Sequence, residues 1–156
     1  MALGAGAGDA PSVEAAGDTE LPTVIRSLNL QASSPLAVAD EIEQGLGVDA
    51  LEALQETLRL SGDQMAEAIG ISPRTLSRRR DAGMLTPEES DRLVQLGILF
   101  DEAVALFDGE VEQARDWFKH PTRALGDASP LATASTFVGA REVEKLIGRL
   151  EHGVFA

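Results

Sequence analysis

The sequence predicts an all-α protein built as a helix-turn-helix bundle followed by a small helical domain. Three observations predict it. Apolar residues recur at spacings of three and four over most of the chain. Helix start signals, a Ser or Thr followed by Pro or by Gln or Glu three residues on, open segment after segment. Hydrophobic content is 44% with only 4% aromatic, many of the apolar residues being Ala and Leu, and no run reads as a strand.

Residues 1–22 are rich in Gly, Ala, Asp and Glu and carry too little apolar surface to order themselves. They are read as a flexible tail. Residues 23–34 are either an extended or an irregular arm, so residues 1–34 are grouped as a tail outside the folded part. Pro35 opens a helical pattern with Leu36, Ala39, Ile42 and Leu46, ended by Gly45 and Gly47. Asp49 and Glu52 suggest a capping box for the next helix, lined by Leu51, Leu54 and Leu58.

Residues 61–81 have helix-turn-helix grammar. Ser61 and Gln64 fit a capping box, and Met65, Ala66 and Ile69 face inward. Gly70 supplies the left-handed backbone that ends the helix. Ser72-Pro73 restarts the chain as N-cap and first helical residue. The second helix carries Arg74, Thr75, Ser77, Arg78, Arg79 and Arg80. Two readings stand: a DNA-reading unit, or an ordinary helical hairpin with a solvated basic face. Under the first, Ser72, Arg74, Thr75, Ser77, Arg78, Arg79 and Arg80 are the expected DNA contacts. The bundle is expected to span residues 35–84.

The net charge of −13 opposes binding to a polyanion. Its distribution matters more. Residues 61–81 hold four arginines against three acids, whereas residues 1–60 hold ten acids against two bases. One such small positive patch binds weakly. A homodimer would double it and suit a palindromic site.

Residues 85–156 form the second expected domain. Thr86-Pro87-Glu88-Glu89 starts a helix that should run to about Phe107. Leu93, Leu96, Phe100, Val104 and Phe107 make one stripe. Val94, Ile98, Leu99 and Leu106 make a second. That second stripe is either covered within the domain or is the homodimer contact. Gly109 breaks the chain, and an amphipathic helix with Ala114, Trp117 and Phe118 ends at His120-Pro121. Ser129-Pro130 caps a short helix. Gly139 precedes the last one, where Val143, Leu146, Ile147 and Leu150 keep helical spacing. Its polar face offers Arg141, Lys145 and Arg149 to an acidic partner surface.

No catalytic constellation is legible. His120 and His152 lack a metal-ligand spacing, and His120 fits a residue at a helix C-terminus. There is no phosphate loop and no nucleophile elbow, so a binding module is expected rather than an enzyme, with no metal and no cofactor. No stretch approaches the roughly 18–20 apolar residues that cross a membrane. With no cysteine and no secretory signal legible, a cytoplasmic location is expected.

From residue 74 onward, about half of the chain, the text resembles the antitoxins of the Xre/MbcA/ParS type. The matching pieces are RTLSRRRDAGMLTPEESDRL, FDEAVALF, ARDWFKHPTRALGDASPL and GAREVEKLIGRLEHGVFA. The resemblance implies a helix-turn-helix that represses the antitoxin–toxin operon. It also implies a C-terminal part that binds a RES-domain toxin resembling ADP-ribosyltransferases and consuming NAD. In such antitoxins the C-terminus blocks the toxin's NAD pocket. On this basis Arg141, Lys145, Arg149, Glu151 and His152 anchor the toxin, and Gly153, Val154, Phe155 and Ala156 plug it. Alternatively, Val154 and Phe155 cap the protein's own core, or the chain is a dimeric repressor whose C-terminal domain binds a different partner.

Overall fold

The structure is a computed structural model that describes residues 21–153. Among these residues there are eight α-helices and one two-stranded hairpin. The hairpin pairs β1 (Val24–Ile25) with β2 (Leu30–Gln31), antiparallel, with Val24 opposite Gln31. A 3₁₀ turn, Arg26–Leu28, joins them, and Asn29 closes it in the left-handed region. This corrects two expectations, that no strand exists and that the tail extends to residue 34. Ile25 and Leu28 are 0% and 1% exposed. The turn packs against the helix over Val48–Leu58, and Ile25 and Leu28 also meet a helix far along the chain at Gly97. Ser27 Oγ donates to the Gly97 carbonyl at 3.2 Å, and the Ser27 N–H donates to Asp101 Oδ1 at 3.1 Å. A Cβ on Gly97 would lie 2.8 Å from Leu28 Cγ, so the hairpin seats only because that residue is glycine.

The bundle follows as α1 (Pro35–Gln44), α2 (Val48–Leu58), α3 (Gly62–Ala68) and α4 (Pro73–Ala82). Ser34 caps α1, its side chain accepting the Ala37 N–H. The expected Asp49–Glu52 box does not form. Gly47 is the N-cap of α2, with no side-chain cap bond. The Val48 N–H instead donates to the Gly83 carbonyl at 3.0 Å, and the Leu85 N–H to the Leu46 carbonyl at 2.8 Å. The chain past α4 thus takes up a donor at the start of α2, and Asp49 remains in the first turn, where it favours the helix dipole.

Helix α5 (Pro87–Leu106) is the axis of the molecule. Thr86 and Glu89 close the expected capping box in both directions. Leu93, Leu96 and Phe100 are buried as expected, and Val104 and Phe107 are half-buried. Phe100 meets Phe118 edge-on at 5.4 Å between ring centres, tying α5 to α6 (Val111–Lys119). A 3₁₀ turn at Arg123–Leu125 leads to α7 (Pro130–Thr133), capped by Ser129, and α8 (Phe137–Glu151). Gly139 does not precede α8 but sits in its first turn, its N–H donating to the N-cap Thr136 Oγ1 at 3.0 Å. A side chain there would collide with the Thr133 carbonyl. Ala140, Val143, Leu146 and Ile147 bury the inner face of α8.

Candidate functional site

The turn between α3 and α4 forms as its residues require. Ser61 Oγ accepts the Gln64 N–H at 3.1 Å, and the Gln64 side chain accepts the Ser61 N–H at 2.8 Å. Gly70 takes φ +77°, and the Ile71 N–H reaches back to the Ala66 carbonyl at 2.9 Å. Met65, Ala66, Ile69 and Leu76 fill the space between the two helices. Helix α4 therefore stands on an apolar floor with its first turns outward.

The seven residues expected on DNA divide into three groups. Arg74, Ser77 and Arg78 are exposed. Ser72 and Thr75 are engaged locally: Ser72 Oγ accepts the Thr75 N–H at 3.0 Å and donates to Thr75 Oγ1, and Arg78 leans on Thr75 Oγ1 at 3.4 Å. Arg79 and Arg80 are tied to neighbouring helices, Arg79 half-buried and Arg80 at the surface. Arg79 donates from Nε to Glu89 Oε1 at 2.7 Å and from its terminal nitrogen to Glu89 Oε2 at 3.0 Å. Arg80 donates to Gln55 Oε1 at 2.6 Å and lies 3.6 Å from Glu52. The helix thus shows less positive charge outward than its composition suggests, because two of its arginines are occupied on α5 and α2.

Glu89 went unnoticed as more than a capping residue. Burial raises its pKa, but the Arg79 hydrogen bond, the Thr86 N–H and the Arg79 charge outweigh that and hold it below the usual carboxylate range. The same bond to Glu89 raises the Arg79 guanidinium further. Two neighbours complete a bracket. Ser90 Oγ accepts the Leu46 N–H at 2.8 Å, and Arg92 donates to the Ile69 carbonyl at 3.1 Å. From α6, Arg115 donates to the Thr57 carbonyl at 2.8 Å and Lys119 to the Leu58 carbonyl at 2.9 Å, capping the end of α2.

The second candidate face is α8. Among the described residues, Arg141 and Lys145 are exposed and pair only along their own helix, at 4.0 Å to Glu144 and 3.2 Å to Glu142. Arg149 is half-buried, and its Nε has no hydrogen-bond partner among the described residues. Glu151, His152 and Gly153 are exposed, with Gly153 at φ +72°. Val154, Phe155 and Ala156 lie outside the described residues. Inward of this face, Glu102 on α5 is pushed up to about 7 by burial and by the charges of Glu144, Glu151 and Asp101. Burial also raises Asp101, against the Ser27 hydrogen bonds.

The expected dimer stripe is split. Val94 and Leu99 are 5% and 4% exposed, covered by the chain's own elements. Ile98 and Leu106 are half-buried. Val94, Ile98 and Leu99 line a groove of about 440 Å³ between α1, α5 and α8, with Val38, Ile42 and Phe137. Phe137 is 67% exposed at its edge. His120 closes α6, its ring nitrogen 2.6 Å from the Asp116 carbonyl. Among the described residues no group of three or more His, Cys, Asp or Glu could hold a metal ion, and no helix is long and apolar enough to cross a membrane.

A helix-turn-helix whose second helix exposes arginines, bracketed onto further helices, defines an all-α helix-turn-helix protein with a C-terminal helical domain. Residues 37–96 match the family model of the antitoxin Xre-like helix-turn-helix domain. Residues 102–153 match that of the antitoxin Xre/MbcA/ParS C-terminal toxin-binding domain. The chain is 38% identical over 139 residues to the Antitoxin Xre of Yersinia enterocolitica, covering 88% of this chain and 94% of that one. It is 33% identical over 130 residues to the Antitoxin Xre of Photorhabdus laumondii, covering 83% and 88%. The chain belongs to the Xre/MbcA/ParS antitoxin family. Its helix-turn-helix domain and toxin-binding domain meet along α5.

Proposed function

We propose that this antitoxin neutralises a cognate RES-domain, NAD-consuming toxin by occluding its active site. The observation that carries the reading is the outer end of α8. Arg141 and Lys145 are held only by pairs on their own helix, and Glu151, His152 and Gly153 project into solvent at the end of the toxin-binding domain. Arg141, Lys145, Arg149, Glu151 and His152 anchor the toxin at the rim of its pocket. Gly153–Ala156 enters the pocket. Anchoring sets affinity and the tail sets inhibition, so the two separate on mutation. Deletion of residues 153–156 leaves the complex intact but restores NAD loss. Arg149→Glu weakens the complex through faster dissociation. NAD consumption by the toxin, measured with each variant at saturating excess, is the test. Full inhibition by the deletion variant would sink the plug.

The helix-turn-helix represses the protein's own operon, with Arg74 and Arg78 as its outward cations. A gel shift on that promoter tests this, and unchanged binding by Arg78→Ala would refute it. A second copy covers the groove at Ile98 and doubles the small positive patch. Ile98→Glu would bury an unpaired charge there and yield monomers by light scattering. A parent protein that is already monomeric at tens of micromolar would overturn the dimer.

A further inference from the structure

One carboxylate is used three times. Glu89 Oε1 accepts the Thr86 N–H at 3.0 Å and Arg79 Nε at 2.7 Å, while Oε2 accepts the second Arg79 nitrogen at 3.0 Å. The Glu89 side chain is 7% exposed and that of Arg79 23%. Paired, fork-to-fork hydrogen bonds fix distance and angle together. This pair joins the first turn of α5 to the last turn of α4. Ser90 and Arg92 in the same stretch hold the α1–α2 link and the end of α3. The beginning of α5 thus holds the helix-turn-helix at three points, the α1–α2 link, the end of α3 and the last turn of α4.

We propose that Glu89 is a positioning residue for DNA reading, acting through Arg79. The pair is a strut that sets the tilt of α4. It holds Arg79 off the phosphates and leaves the direct contacts to Arg74 and Arg78. The inference rests on the operator-binding reading above. It differs from direct contact by Arg79 in the sign of a single substitution. If Arg79 touched DNA, removing the acid beside it would release a cation and tighten binding. If the pair is a strut, removing the acid loosens α4 and weakens binding.

The variant is Glu89→Gln. Glutamine also closes a capping box, so the start of α5 is kept while the paired charge is lost. Promoter DNA is titrated by gel shift at several salt concentrations, with thermal melting to check folding. Glu89→Gln is expected to weaken binding about tenfold, since a reading helix tolerates little displacement. Arg79→Met is expected to weaken binding without changing the slope of affinity against salt, whereas Arg78→Met lowers that slope by about one phosphate contact. Unchanged or tighter binding by Glu89→Gln overturns the strut. A reduced salt slope for Arg79→Met also overturns it, and remains readable if Glu89→Gln does not fold. A parent protein that leaves the promoter unshifted overturns the operator reading itself, and the strut with it.

Discussion

The two ends of α5 treat a desolvated carboxylate in opposite ways. At the N-terminal end Glu89 sits against Arg79 and the Thr86 N–H, and its pKa is lowered. Toward the C-terminal end Glu102 is half-buried near Glu144, Glu151 and Asp101, and its pKa is raised to about 7. Burial opposes the charge in both places. What differs is the neighbour that packing delivers. In the helix-turn-helix domain, polar contacts between distant residues hold the elements at fixed angles. In the toxin-binding domain, α8 is held by its apolar inner face, and its exposed acids Glu144 and Glu151 stand close enough to the half-buried Glu102 to oppose its charge.

The largest expected effect asks whether the two ends share one core. Phe118 is fully buried against Phe100. Phe118→Ala should cost about 3–5 kcal/mol. In urea it should lower the midpoint of one cooperative transition, followed by circular dichroism and by Trp117 fluorescence together. Two separated transitions would mean that the ends of α5 fold independently, and the comparison would become one of two separate bodies.

The next effect is the opposed pH dependence. Glu102 has a folded pKa raised from 4.5 to about 7, so the folded state holds its proton more tightly than the unfolded chain. Its ionisation therefore costs nothing below pH 4.5, and the cost grows between pH 4.5 and about 7 and is complete above. Glu102→Gln should remove that loss, stabilising the protein at pH 8 by about 1–2 kcal/mol after allowance for solvent screening. Glu89 has the opposite sign. Its folded pKa is lowered from 4.5, so its contribution is present above pH 4.5 and is lost as the pH falls through the folded value. Arg79→Met should flatten that acid limb and leave the limb between pH 5 and 8 unchanged. Urea unfolding across pH 3–8 measures both limbs. A parent profile that stays flat between pH 5 and 8 would defeat the claim about Glu102.

The smallest effect sharpens the contrast between tied and untied cations. Lys145 pairs with Glu142 at 3.2 Å, but both side chains are more than half exposed, at 59% and 51%. Lys145→Ala should change stability by no more than about 0.5 kcal/mol. A larger loss would show that the outer face of α8 contributes to the fold and is not simply held out for a partner.

The sequence by itself determined where four of the helices begin. Ser61 with Gln64, Ser72 with Pro73, Thr86 with Glu89 and Ser129 with Pro130 all act where they were read. Each cap is made by atoms within three residues of one another, so short-range text suffices. The left-handed glycine Gly70 was legible for the same reason. Tertiary structure decided what each side chain faces. The stretch Val24–Gln31 has no strong local preference and becomes a hairpin because Gly97, far along the chain, leaves room for Leu28 and Ile25. Four arginines in one helix look alike in sequence, yet Arg79 and Arg80 are tied to neighbouring helices while Arg74 and Arg78 are not. That choice depends on where Glu89 and Gln55 arrive when α5 and α2 pack. Charge pairing and burial fall off over a few ångströms in space, and no spacing along the chain records which distant residues come within that range.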